Sequence, residues 1–314
     1  MNLLQVPLFA RLDDYVGPWL CEPITFSGIW NAARQMDFLA HMAEPLEQRA
    51  AIDKQSTASG KSIGVIRLTG LLMKAQSSMG GTSTIQIRRD IRNAAADSDI
   101  SAILLAIDSP GGTVAGTSDL ADEVKAARKS KPVWAHIDDL GASAAYWIAS
   151  QCERITANSP TALVGSIGTV QVMQDQSEAA AKEGVKTLVF ATGPMKGMGT
   201  PGSKVTDEHI AHVQALVDSV QKSFDAAVQK GRSLTDKQLA AVRHGGVFTA
   251  EDALKNKLID AIQPLSKTIS ELTRSLAGDG RGQVRADAGS AGVASQFPMV
   301  QRRRLPVLAQ EIQR

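Results

Sequence analysis

The stretch HIDDLGASAAYWIAS (136–150) runs from a polar strand end, through Gly141-Ala142-Ser143, into the apolar start of a helix. A serine at such a junction, flanked by Gly141, Ala142, Ala144 and Ala145, has a backbone that a ligand can approach closely. The first turn of a helix also has free N–H groups and a partial positive charge. Ser143 is therefore a candidate nucleophile beside donors that could hold an oxyanion. The plainer reading is that its side chain caps the helix.

Working outward, strand and helix patterns alternate. SIGVIRLTGLL (62–72) reads as the first core strand, and STIQIRRDIRNAAADS as a helix with Ile85, Ile91 and Ala95 on one face. ISAILLAID (100–108) is a continuous apolar run, as in a strand buried on both faces. SDLADEVKAARKS reads as a helix, PVWAHID as a strand, GASAAYWIAS as a helix and RITA as a short strand. GSIGTVQVM and VKTLVFAT read as strands flanking a helical QSEAAAKEG. One long helix is expected from Thr206 to Lys230, with Val213, Leu216, Val217, Val220 and Phe224 on one face. This alternation predicts an α/β fold built on a mainly parallel sheet. Residues 1–60 read as a helical N-terminal arm, 61–275 as the main domain, and 276–314 as a disordered basic tail.

Composition narrows the function classes. The chain has 314 residues and a net charge of +2, which gives no general attraction to nucleic acid. Its two cysteines offer neither a disulfide framework nor metal-ligand spacing. The N-terminus is a poor secretion signal, and no run approaches the ~20 apolar residues of a membrane span. These features predict a cytoplasmic protein.

Two further stretches join Ser143. IDSPGGTVAG (107–116) takes a strand into paired glycines, which turn tightly and expose N–H groups. ATGPMKGMGTPGSK (191–204) sets Lys196 among glycines and Met195 and Met198. If desolvated there, the lysine could be neutral and act as a base; otherwise it is a solvated loop residue. A free lysine has a pKa of about 10.4, so neutrality at pH 7 costs roughly 4–5 kcal/mol unless burial shifts it. A Ser-His-Asp arrangement using His136 and Asp138 or Asp139 is the rival. His136 sits in the strand just before Ser143, too close in sequence to reach back easily. His209 and His212 read as surface residues of the long helix.

SPGG, ASxxYWIA, GSIG and GPMKGMG, in this order and spacing, resemble the S49 serine peptidases. That family includes signal peptide peptidase A and phage capsid-assembly proteases, and shares the crotonase-like fold of the Clp protease. The resemblance covers roughly residues 60–265. It implies a crotonase-like domain of repeated β-β-α and βα units. It makes Ser143 the nucleophile, Lys196 the general base, and Ser166 a serine that hydrogen-bonds the lysine. The backbone N–H groups of Gly112 and Ala144 become the oxyanion hole. Many relatives carry glycines directly after the nucleophile, where this chain has Ala144 and Ala145.

The resemblance calls for no cofactor and no metal. It implies a protein or peptide substrate and a homo-oligomer, with capsid or scaffold proteins as further partners. The function expected is a serine endopeptidase with a Ser-Lys dyad, acting in phage or prophage head maturation. The alternatives are a cytoplasmic protease of the signal peptide peptidase A type, and a non-proteolytic binding or assembly protein of the crotonase fold.

Overall fold

The computed structural model describes residues 18–22, 52–56, 62–75 and 81–277. The disordered tail expected at 276–314 lies, from residue 278 on, outside them. So does the expected N-terminal arm, apart from its two short described segments.

The main sheet is built around the apolar runs. β3 (Ser62–Thr69), β6 (Ile100–Ser109) and β8 (Val133–Ala142) lie side by side in parallel. β8 pairs on its far side first with β9 (Arg154–Ala157), then with β10 (Leu163–Gly165), both parallel. β2 (Asp53–Ser56) closes one edge antiparallel to β3, and β11 (Val247–Thr249) closes the other against β10. β12 (Ala261–Ile262) adds to β9 in parallel.

Residues from both faces of these strands are buried. Ile66, Leu68, Ile103, Leu105 and Ile137 join one core with α1 (Thr84–Ala96), α2 (Thr117–Ala127) and α3 (Ala144–Ala149). Ile63, Val65, Leu104 and Trp134 join a second, with Leu272 of α8 (Leu265–Ala277). Burial on two faces explains why β6 is apolar without alternation. The α/β fold class and parallel sheet expected from sequence are those observed. In α1 the buried face includes Ile87, Ile91 and Ala94; of the residues expected there, Ile91 is buried, Ala95 packs partly buried against the core, and Ile85 is exposed.

A small second sheet has the order β1-β7-β4-β5, formed by β1 (Trp19–Cys21), β4 (Leu72–Met73), β5 (Thr82–Ser83) and β7 (Gly111–Thr113). β1 runs antiparallel to β7, with Leu20 opposite Gly112. On its other side Trp19 exchanges two backbone hydrogen bonds with Val170, at 2.7 and 2.9 Å.

Two expected strands are missing. GSIGTVQVM contributes only the end of β10 and a single bridge at Val170. VKTLVFAT forms no strand. The edge beside β10 is taken by β11, so these β-branched segments have no ladder to join. Between residues 171 and 206 only α4 (Ser177–Lys182) and a one-turn 3-10 helix (Pro194–Gly197) are regular. Val185, Leu188 and Phe190 are exposed there, Phe190 by 93%.

α5 (Asp207–Arg232) is the expected long helix, with Val213, Phe224 and Val228 buried but Leu216 exposed. α6 (Asp236–Val242) and α7 (Ala250–Lys255) complete the chain order.

Candidate active site

The end of β8 sets Ser143. Ala142 pairs with Gly165 of β10, and the Ser143 N–H donates to the Gly165 carbonyl at 2.7 Å. The Trp147 N–H then donates to the Ser143 carbonyl, opening α3. Between these constraints Ser143 is held at φ 54°, ψ −117°, a left-handed conformation that a non-glycine residue rarely adopts. Its side chain makes no cap bond. The capping reading of Ser143 therefore fails. Its Oγ instead lies 3.5 Å from the Gly168 carbonyl oxygen, and the residue is fully buried.

Paired glycines stand beside it. Gly111 has φ 100°, and a Cβ there would collide with the Leu20 carbonyl oxygen and lie 2.9 Å from the Ala144 nitrogen. A Cβ on Gly112 would collide with the Leu72 carbonyl. The Gly111 backbone thus comes to the start of α3 as closely as glycine allows, and the Gly112 backbone to β4. The Ser109 hydroxyl fixes this turn, donating to the Gly70 carbonyl at 2.6 Å and accepting from the Gly111 N–H at 3.2 Å.

Ser166 follows Gly165 at φ 50°. Its N–H donates to Gly246 and its hydroxyl to the Gly245 carbonyl at 3.0 Å. With its proton committed, the hydroxyl oxygen keeps lone pairs for another donor.

Lys196 is elsewhere. It lies in the Pro194–Gly197 turn and its side chain is exposed, not desolvated as expected. The reason is that the whole 171–206 limb lacks a sheet partner in one chain. The limb is tied to the start of α5, where the His209 Nε2 is 3.0 Å from the Pro194 carbonyl oxygen. Ser143 is tied to the far part of that helix. Trp147 stacks on Phe224, and the Gln151 amide donates to the Ala227 carbonyl at 3.1 Å. From His209 to Phe224 is about 22 Å along the axis, at 1.5 Å per residue. Backbone contacts thus bring together Ser143, the Gly165-Ser166 step, and the close approach of Gly111 to Ala144, whereas the turn carrying Lys196 is anchored at the head of α5.

The histidine rival loses its geometry. His136 is buried in mid-strand rather than at a strand end, and six residues, Ile137 to Ala142, stand between it and Ser143. Its Nδ1 is 2.8 Å from the Thr156 hydroxyl, and burial pulls its pKa down to about 4. Neither cysteine is a rival nucleophile, because burial pushes both the Cys21 and Cys152 thiols up to about 12. Among the described residues there is no cluster of His, Cys, Asp or Glu able to hold a metal ion, and no helix is long and apolar enough to cross a membrane.

The sequence reading missed His209, which is buried rather than on the surface. The signal was the spacing Thr206-x-x-His209 at the head of the long helix, which has the form of a capping box with histidine in place of glutamate.

Comparison with known proteins agrees with the resemblance. The model of Peptidase family S49 matches residues 125–278. Protease 4 of Salmonella typhi is 29% identical over 219 residues, covering 69% of this chain and 35% of its own length. Capsid assembly protease C of Escherichia phage lambda is 31% identical over 206 residues, covering 64% of this chain and 46% of its own. The head-tail preconnector protein of Enterobacteria phage P21 is 29% identical, covering 74% and 47% respectively. The chain thus spans half or less of the length of these relatives. Among solved structures, an enoyl-CoA hydratase/isomerase family member matches with a TM-score of 0.44 and 16% identity, over 76% of this chain and 79% of that one.

Proposed function

We propose that this chain, an S49-type peptidase over residues 125–278, is a serine endopeptidase with Ser143 as nucleophile and Lys196 as general base. One observation carries the reading. Ser143 is held at a positive φ on a strand-to-helix junction, free of any cap bond, with the Gly111-Gly112 turn and the Ala144 nitrogen beside it. Nothing in capping or packing requires that strain, whereas a nucleophile presented beside backbone donors does.

In this reading Ser143 Oγ attacks a peptide carbonyl carbon and its proton passes to the neutral Lys196 amine. The N–H groups of Gly112 and Ala144 receive the oxyanion. Lys196 then protonates the leaving amine, and water hydrolyses the acyl-enzyme. Ser166 accepts a hydrogen bond from the lysine and orients it. The separation of Lys196 from Ser143 in one chain, and the apolar limb around it, support a homo-oligomer in which one copy's limb serves another copy's Ser143. Burial of the limb at that interface would also remove water from Lys196 and favour its neutral form.

The biological role proposed is capsid assembly in a phage or prophage, by analogy with the lambda and P21 relatives, acting in the host cytoplasm on capsid or scaffold proteins. The similarity to Protease 4 supports a second role in general peptide degradation. Co-purification with capsid subunits separates the two.

The chemistry is tested with full-length variants and labelled casein. Ser143→Ala, Lys196→Ala and Lys196→Arg should each lose activity by about 100-fold or more, arginine failing because it stays charged. His136→Ala should retain turnover. Mixing Ser143→Ala with Lys196→Ala should restore a fraction of wild-type activity. Full activity in Lys196→Ala would overturn the dyad, and no recovery on mixing would overturn its sharing between copies.

A further inference from the structure

We infer that His209 is a positioning residue for Lys196, holding the lysine-bearing turn against the head of α5. This rests on the reading of Lys196 as the general base.

His209 occupies the third position of α5, where a capping box uses a side-chain acceptor. Its N–H donates to the Thr206 hydroxyl at 3.2 Å, and its Nδ1 accepts the Thr206 N–H at 3.3 Å. A neutral imidazole accepting at Nδ1 carries its proton on Nε2. That nitrogen faces the Pro194 carbonyl oxygen at 3.0 Å, so it donates there. The ring is thus fixed in one tautomer by partners on both sides, and the residue is only 8% exposed.

A cap alone does not need a donor. Glutamate, common at this position, accepts from the N-cap N–H but could not donate to Pro194. Histidine does both, and what it reaches is the first residue of the turn that carries Lys196. The turn itself is a single 3-10 turn closed by its own backbone bonds. The Lys196 N–H donates to Gly193 at 3.1 Å, and Met198 to Met195 at 3.3 Å. Gly197 lies against Val189 so closely that a Cβ there would collide with it. Fixing Pro194 therefore fixes the stem of Lys196, on a limb whose neighbours Val185, Leu188 and Phe190 are exposed. A general base must be held within hydrogen-bond reach of the proton it takes, so slack in this turn is felt in the chemical step.

The test separates holding from capping. His209→Gln can accept from Thr206 and donate to Pro194; His209→Glu can only accept; Thr206→Ala weakens the cap but leaves the Pro194 bond. All are made in the full chain. Each is measured by kcat and KM on labelled casein, by the rate of Ser143 labelling with a fluorophosphonate, and by Tm.

His209→Gln should stay within about threefold of wild type. His209→Glu should lose kcat by about 10-fold or more, with KM and Tm nearly unchanged. Thr206→Ala should lower Tm while kcat holds. Wild-type kcat in a folded His209→Glu overturns the inference, as does a Thr206→Ala whose kcat falls as far as that of His209→Glu. If His209→Glu fails to fold, a kcat loss of 10-fold or more in folded His209→Gln overturns it, because that variant keeps both bonds. Lys196→Ala run alongside distinguishes the two levels: activity there removes the base assignment itself, whereas an inactive Lys196→Ala beside an active His209→Glu removes only the role of His209.

Discussion

The indole of Trp147 stacks on the ring of Phe224, with centroids 4.9 Å apart and planes 10° from parallel. Trp147 is four residues from Ser143, so this pair fastens the short α3 to α5. Gly231 permits a second contact, since a Cβ there would collide with the Ser150 carbonyl. Phe224→Ala should cost about 3–5 kcal/mol of stability. It should also reduce fluorophosphonate labelling of Ser143 in protein that remains folded. Urea unfolding and the labelling rate check both. Phe224→Leu should recover most of the stability.

Gly112→Ala should lose both stability and activity, because its Cβ would collide with backbone rather than with a side chain that can move. A destabilisation on the order of 1–3 kcal/mol is expected from such overpacking. Gly193→Ala is the control, since nothing lies within 4 Å of its added Cβ. Its unfolding midpoint in urea should stay at the wild-type value or slightly above it.

Stability should fall with acid in a defined window. His136 has its pKa lowered from 6.5 to about 4 by burial. The unfolded chain therefore binds a proton that the folded chain refuses. Stability from this group is complete above about pH 6.5, falls as the pH drops toward 4, and levels off below. The full effect is about 3 kcal/mol. His136→Gln should flatten this part of the pH dependence of Tm while leaving the activity of folded protein intact.

Phe190→Ser should weaken self-association. Phe190 is the most exposed large apolar side chain on the limb, and on the proposed reading it lies at the interface between copies. Sedimentation should show smaller species, with specific activity falling in parallel. Unchanged assembly together with unchanged activity would place the interface elsewhere.

Much of this architecture is legible in the residues. β6 declares itself because burial on both faces leaves an apolar run, β3 because it is rich in β-branched residues, and the strand-to-helix junction at Ser143 because the pattern changes there. The limb is misread for the opposite reason. VKTLVFAT has the composition of a strand, but composition records what a segment would do beside a free edge, and β11 occupies that edge. His209 is misjudged because exposure is a property of what packs over a residue. Helix periodicity places His209 correctly on α5 but says nothing of the turn that folds across it.

On the proposed reading, the small strand β1 bears on how a substrate reaches Ser143. Trp19–Cys21 lies between Gly111–Thr113 and Val170, and the Glu22 N–H donates to the Pro110 carbonyl at 2.8 Å. If a substrate strand comes to Ser143 by pairing with β7, its place already has a tenant. A tethered strand competes at an effective concentration that reaches the millimolar range. An incoming peptide would therefore exchange one set of main-chain hydrogen bonds for an equivalent set, with little net gain from the backbone. Selectivity would then fall to the side chains, which must outcompete the buried Leu20 and Trp19. Such an enzyme discriminates by displacement, turning over only those chains that can evict its own.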